Sequence, residues 1–194
     1  MFAAVPNARA DLKPGTVYAV AGEAGWVYYG QVAPDKSVAF FRHRDRAICA
    51  PAGALACPVM AIVDVAYPSI TRALRSGRWQ KRGRFPLPER LNEPRMVVQW
   101  PVGTLTVTVW LDGVAVYDTL VDDPAIQAAE LMAVWDAEFH IPQRLTADFG
   151  VEPAEWHVGG PIWRERRIKE ETARRQPDQP WHRLPPDWVF TSVR

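Results

Sequence analysis

The stretch from Gly15 to Arg42 constrains this chain more than any other. It holds three runs of strand length: Gly-Thr-Val-Tyr-Ala-Val-Ala from Gly15, Trp-Val-Tyr-Tyr-Gly-Gln-Val-Ala from Trp26, and Ser-Val-Ala-Phe-Phe-Arg from Ser37. Each is rich in β-branched and aromatic residues, and turn formers separate them, Gly22 with Gly25 first and Pro34-Asp35-Lys36 second. Three such runs in succession predict an antiparallel meander with a packed face onto which later segments dock. Gly30 interrupts the second run, where a missing side chain marks a bulge or a close backbone approach. A bend that closes the sheet fits it better than a ligand contact.

A chain of 194 residues can bury one sizeable core, and 48% hydrophobic with 23% charged residues suits a globular protein. No apolar run is long enough to span a bilayer, and the first ten residues lack the basic-then-apolar order of an export signal. A cytoplasmic location is expected. Cys49 and Cys57 stand eight positions apart, a spacing that permits a disulfide but makes no framework. Two small buried residues is the favoured reading.

After the meander, Cys57–Val65 is a nearly continuous apolar run and predicts a buried strand. Pro68–Gly77 predicts a short helix with Ile70, Ala73 and Leu74 on one face and Gly77 at its stop. The segment Arg78–Pro88 mixes Arg78, Lys81, Arg82 and Arg84 with Trp79 and Phe85. Base stacking beside a basic groove would use that composition, but a solvated loop anchored by two aromatics is favoured and nucleic acid is not an expected partner. Two or three strands follow between Arg95 and Tyr117, and Asp112-Gly113 between alternating runs predicts a tight hairpin. Asp122-Asp123-Pro124 reads as the start of a helix carrying Ala128, Leu131, Met132 and Trp135 on one face. A second helix is expected over Pro142–Phe149, with Gly150 beyond its end. The fold class is therefore α+β: an N-terminal antiparallel meander able to curl toward a barrel, a further hairpin and two or three short helices. Residues 1–160 are expected to form a single domain. Residues 161–194, a charged helix and a Pro/Trp-rich end anchored by Trp188-Val189-Phe190, are read as an appendage.

The four histidines (His43, His140, His157, His182) have no metal-site spacing, and no phosphate-binding glycine loop or nucleophile elbow occurs. No catalysis, cofactor or metal is expected. Charge distribution is more informative. Residues 72–111 carry eight basic and two acidic side chains, whereas residues 112–155 carry ten acidic and one basic, Arg144. Such segregation creates a field that steers a charged partner even when net charge is +1. An acidic surface suits a basic protein partner such as a nuclease.

Three patches resemble the Imm26 family, the immunity proteins of bacterial polymorphic toxin systems. They are Lys13–Val20 with Tyr28-Tyr29-Gly30-Gln31-Val32 and Val38–Phe41, then Gly77–Pro88, then Ala128–Trp135, which is similar to the family's late helix ending in Trp. Together they cover about residues 13–150. The resemblance implies neutralisation of a cognate toxin by direct binding in the cytoplasm, with no catalytic residue to carry over. Candidate interface residues are Asp118, Asp122, Asp123, Glu130, Asp136, Glu138, Asp148, Glu152 and Glu155, with Asp112 in the same acidic stretch. The competing class is a barrel-like module that binds a peptide, small ligand or nucleic acid through Arg78–Phe85, without a toxin.

Overall fold

The computed structural model describes residues 1–150 and 159–191. The three N-terminal runs are β1 (Thr16–Ala21), β2 (Val27–Val32) and β3 (Val38–Asp45), paired antiparallel as the meander predicts. The pairing of β2 with β3 shifts register between Tyr28 and Gly30. A Cβ built on Gly30 would lie 2.7 Å from Phe40 and 2.8 Å from Val38. The bulge and the aromatic ring therefore share the space a side chain would take.

A short helix α1 (Pro51–Leu55) leads into β4 (Val59–Val65), which lies antiparallel to β3. Helix α2 (Tyr67–Arg75) buries Ile70, Ala73 and Leu74 and stops before Gly77, whose φ of 74° suits the left-handed exit. The basic segment then forms β5 (Trp79–Arg84) on the outer side of β1. The expected loop is a strand because Trp79 is buried in the core, its indole N–H donating to the Ala137 carbonyl at 3.0 Å. Buried Gln31 holds the following turn by donating to the carbonyls of Phe85 (3.1 Å) and Pro86 (3.0 Å).

The second set of strands comprises β6 (Met96–Gln99), β7 (Thr106–Leu111), β8 (Val114–Leu120) and β9 (Glu130–Leu131). The β7–β8 hairpin turns at Asp112 (φ 48°) and Gly113 (φ 78°), the two positive φ values a type I′ turn needs. Strand β10 (Val134–Trp135) and helices α3 (His140–Phe149) and α4 (Ile162–Arg175) complete the elements. Gly150 caps α3 in the left-handed region, as expected. One sheet has the order β10-β4-β3-β2-β1-β5 and curls into a half-barrel; the other has the order β8-β7-β6-β9. The fold is α+β, with four α-helices among the described residues. None of them is long and apolar enough to cross a membrane.

The helix expected from Pro124 is absent. Pro124–Ile126 is a single 3-10 turn capped by Asp123, whose side chain accepts from the Ala125 N–H. The backbone then finds partners in two sheets: Glu130-Leu131 pairs with Val97-Val98, and Val134-Trp135 with Asp64-Val65. Inter-strand pairing has overridden a helical spacing of apolar residues. The stretch resembling a late family helix is thus extended here.

Packing divides the chain differently from the expected break at residue 160. One compact unit is 1–93 with 133–158, and the other is 94–132 with 159–194. In the second unit α4, read from the sequence as part of an appendage, buries Ile162, Glu165, Arg166 and Glu170. Ile162 joins Val98, Val107, Val109, Val121, Ile126 and Trp188 in one core. Glu170 accepts from the Trp188 indole (3.0 Å) and from Thr191 N–H (2.8 Å) and hydroxyl (2.6 Å), while Trp100 stacks on Trp188 at 5.9 Å. Trp188 is the anchor; Val189 and Phe190 are exposed. Trp188→Ala is expected to lower stability by about 3–5 kcal/mol, the usual loss for a buried Trp. Phe190→Ala should stay within about 0.5 kcal/mol. Urea unfolding of the two variants checks the difference.

Candidate functional site

The ten acids of residues 112–155 do not belong to one unit. Asp112, Asp118, Asp122, Asp123 and Glu130 are in the second unit, while Asp136, Glu138 and Asp148 are in the first. Glu152 and Glu155 lie outside the described residues, as does His157.

The acids of the first unit hold its own helices. Arg144 Nε contacts Asp148 Oδ1 at 3.0 Å and Oδ2 at 2.8 Å, with side chains only 2% and 5% exposed. Asp136 and Glu138 share Arg72 at 2.7 and 3.2 Å, and Glu138 also accepts from Ser76 at 2.9 Å. Asp136 Oδ1 further accepts the N–H groups of Glu138 and Phe139, ordering the entry to α3. The one base within the acidic stretch is thus spent on one of its acids, and Arg72 supplies a second countercharge from outside it.

In the second unit the acids sit on and beside the β7–β8 hairpin. Between Met96 and Met132 there are five acids and no Lys, Arg or His. Asp112 accepts the Arg95 N–H at the hairpin tip (2.9 Å), and Asp118 accepts from Thr108 across the strands (2.7 Å). Asp123 accepts from the Ala125 N–H and then the Thr119 hydroxyl, which lower its pKa below the usual carboxylate value. Asp122 follows β8, and Glu130 is half-buried in β9.

Strand β8 itself is the edge of its sheet and is exposed along nearly its whole length. Val114, Val116, Tyr117 and Leu120 present apolar surface there, Val114 and Leu120 being 66% and 55% exposed. Neither Lys nor Pro, two common guards of an open edge, occurs in it. Val116 is the extra residue of a bulge opposite Val109 and Trp110, so β8 is irregular toward β7. An unpaired edge of this kind can add a strand from another protein.

The basic segment Arg78–Phe85 offers no stacking platform. Trp79 is 1% exposed, and Phe85 packs on the cluster that holds Val17 and Tyr29. Lys81 pairs with Asp11 (2.6 Å), and Arg78 donates to the Glu138 carbonyl (3.0 Å). Arginines stack instead from the end of β3 and the residue after it: Arg46 and Arg44 lie 3.5 and 3.9 Å from the Trp26 ring centre, and Arg44 lies 4.7 Å from that of Phe149. A cavity of about 600 Å³ lined by Phe2, Trp26, Ile48 and Gln80 has Arg46 as its only ionisable side chain among the described residues.

On the other face of β3, the structure assembles a group that spacing did not suggest. His43 stands between the two cysteines, with Cys49 Sγ 3.6 Å from Nε2 and Cys57 Sγ 3.9 Å from Nδ1. Both cysteines are free thiols of intermediate exposure, less buried than the sequence reading favoured. The available signal was His-x-Asp at strand spacing, which puts His43 and Asp45 on one face.

Comparison with known proteins returns no match to a family model, a curated protein or a solved structure.

Two outcomes follow from the buried polar groups. Asp148→Ala is expected to destabilise the protein by about 3–5 kcal/mol, because it breaks a buried ion pair with Arg144; chemical denaturation reads this directly. Burial first of all raises the hydroxyls of Tyr18 and Tyr29 from 10.0 to about 12. Their stabilisation is complete below pH 10 and lost as pH rises through about 12. Stability should therefore fall over that window, and Tyr18→Phe with Tyr29→Phe should flatten the fall.

Proposed function

We propose that the protein is an immunity protein that neutralises a cognate bacterial toxin in the cytoplasm by direct binding, with the outer edge of β8 as its contact. The observation that carries this reading is the exposed apolar edge Val114–Leu120, flanked by Asp112, Asp118 and Asp122 with no basic residue from Met96 to Met132. Backbone pairing along such an edge supplies affinity, and side chains such as Tyr117 supply specificity. The flanking carboxylates would raise the association rate with a basic toxin more than they tighten the complex. A seven-residue strand is short of the roughly 1,200–2,000 Å² that a stable inhibitory interface buries, so the acidic flanks belong to the contact. The resemblance of the Lys13–Phe41 and Gly77–Pro88 patches to the Imm26 family supplies the kind of partner, while Ala128–Trp135 lacks the helix that its resemblance implied. Asp136, Glu138 and Asp148 are left out of the proposed surface because they hold α2 and α3. The alternative of a nucleic-acid module using Arg78–Phe85 is weakened by burial of Trp79.

The test is protection of cells that co-express the toxin domain encoded beside this gene. Wild-type protein should protect, and Val116→Lys with Leu120→Lys should abolish protection while leaving the circular dichroism spectrum unchanged. Asp118→Lys with Asp122→Lys should slow association about tenfold at low salt and much less at high salt. Full protection by the β8 variant would remove β8 from the contact. Absence of protection by the folded wild-type protein would remove the immunity reading itself.

A further inference from the structure

Strand β3 ends as a two-sided element. Arg42 and Arg44, with Arg46 just past the strand, point to the aromatic side, and His43 and Asp45 to the side occupied by Tyr29. The chain after β3 returns Cys49 over this second face. Its position is fixed by the Tyr29 hydroxyl, which accepts from the Cys49 N–H (2.7 Å) and donates to the Cys49 carbonyl (3.2 Å). One ligand atom each from His43, Asp45 and Cys49 then lie within 4.8 Å of one another.

We propose that His43, Asp45 and Cys49 form a binding site for a zinc ion. Imidazole, thiolate and carboxylate are a donor set that zinc takes in tetrahedral geometry. Zn–S of about 2.3 Å and Zn–N of about 2.0–2.1 Å at a tetrahedral angle require S and N to be about 3.6 Å apart. The Cys49 Sγ to His43 Nε2 distance is 3.6 Å. Asp45 is exposed at the strand end, where its Oδ1 accepts the Arg46 N–H (2.6 Å), so the carboxylate can reorient toward the metal position without disturbing the core. Three protein ligands leave the fourth position to water.

Cys57 has a different role from Cys49. Its thiol donates to the Gly53 carbonyl (3.5 Å), and its sulfur faces Nδ1 on the far side of the ring. An Nδ1–H directed at Cys57 leaves the Nε2 lone pair aimed at the metal position, as outer partners of ligating histidines do. Binding replaces the Cys49 S–H by S–Zn and releases that proton to buffer. The approach of the two sulfurs to opposite nitrogens of one imidazole also favours metal ligation by Cys49 over a Cys49–Cys57 disulfide.

Titrating the reduced full-length protein with Co²⁺ tests the site, because a thiolate ligand gives a charge-transfer absorption. Wild-type protein should develop this band at one equivalent and lose it when Zn²⁺ is added. Cys49→Ser should abolish the band. Cys57→Ser should keep it, with affinity about 10–100-fold weaker. Asp45→Asn, an exposed change that leaves the fold intact, should weaken affinity at least tenfold. No band in the wild type, an undiminished band in Cys49→Ser, or a band lost only in Cys57→Ser would each overturn the proposal.

Discussion

The seating of Phe40 over Gly30 governs the first unit. Where most strands carry a side chain, β2 leaves a gap, and the ring of the neighbouring strand enters it. The register shift at Tyr28/Gly30 is one of three in this sheet; the others fall at Val17/Tyr18 and Phe40/Phe41. Each adds local twist, and together they turn a six-stranded sheet into a half-barrel. Curvature gives the sheet two unlike faces. Tyr18, Tyr28, Phe40 and Trp79 fill one, with α2 and α3 packed on it, while Val17, Ala19, Val27 and Tyr29 line the other. The alternation continues past the core to the end of β3, where it separates stacked arginines from His43 and Asp45. The candidate metal site thus inherits its geometry from a bulge well within the sheet.

Elements whose signal is local were legible in the sequence. Asp112-Gly113 demands a hairpin because both residues must adopt positive φ, and they do. Gly150 ends α3 and Gly77 follows α2 for the same stereochemical reason. The segment 124–135 was misread because its apolar residues repeat at helical spacing while its backbone has stronger partners elsewhere. Glu130-Leu131 and Val134-Trp135 each complete a different sheet, and no local rule reports that. The tail was undervalued for a related reason. Composition shows charged residues in α4, but Arg166 and Glu170 are buried, Arg166 donating to Gln127 and Val189 while Glu170 accepts from Trp188 and Thr191.

Charge illustrates how a linear signal is sorted by folding. Ten acids against one base looked like a single acidic face. Three of them are countered by Arg72 and Arg144 and hold α2 and α3 in place. Those on the hairpin have no basic residue in sequence from Met96 to Met132 to counter them, and hydroxyl and backbone N–H groups orient several of them. Neutral donors fix a carboxylate without cancelling its charge.

Interleaving of the two units makes their assembly non-local. The first unit needs α3 and Ala137 to complete the pocket around Trp79, yet those residues follow the whole β6–β9 segment in sequence. The second needs Trp188 to close over Val98 and Val107. Val98, Val107 and Val109 of β6 and β7 lie in a core completed by Ile162 and Trp188, both of which come later in sequence. Among the described residues, β8 has a neighbouring strand on one side only. An apolar edge without Lys or Pro invites aggregation unless a partner occupies it. That cost is the physical reason for reading the edge as a binding surface and not as an incidental sheet boundary.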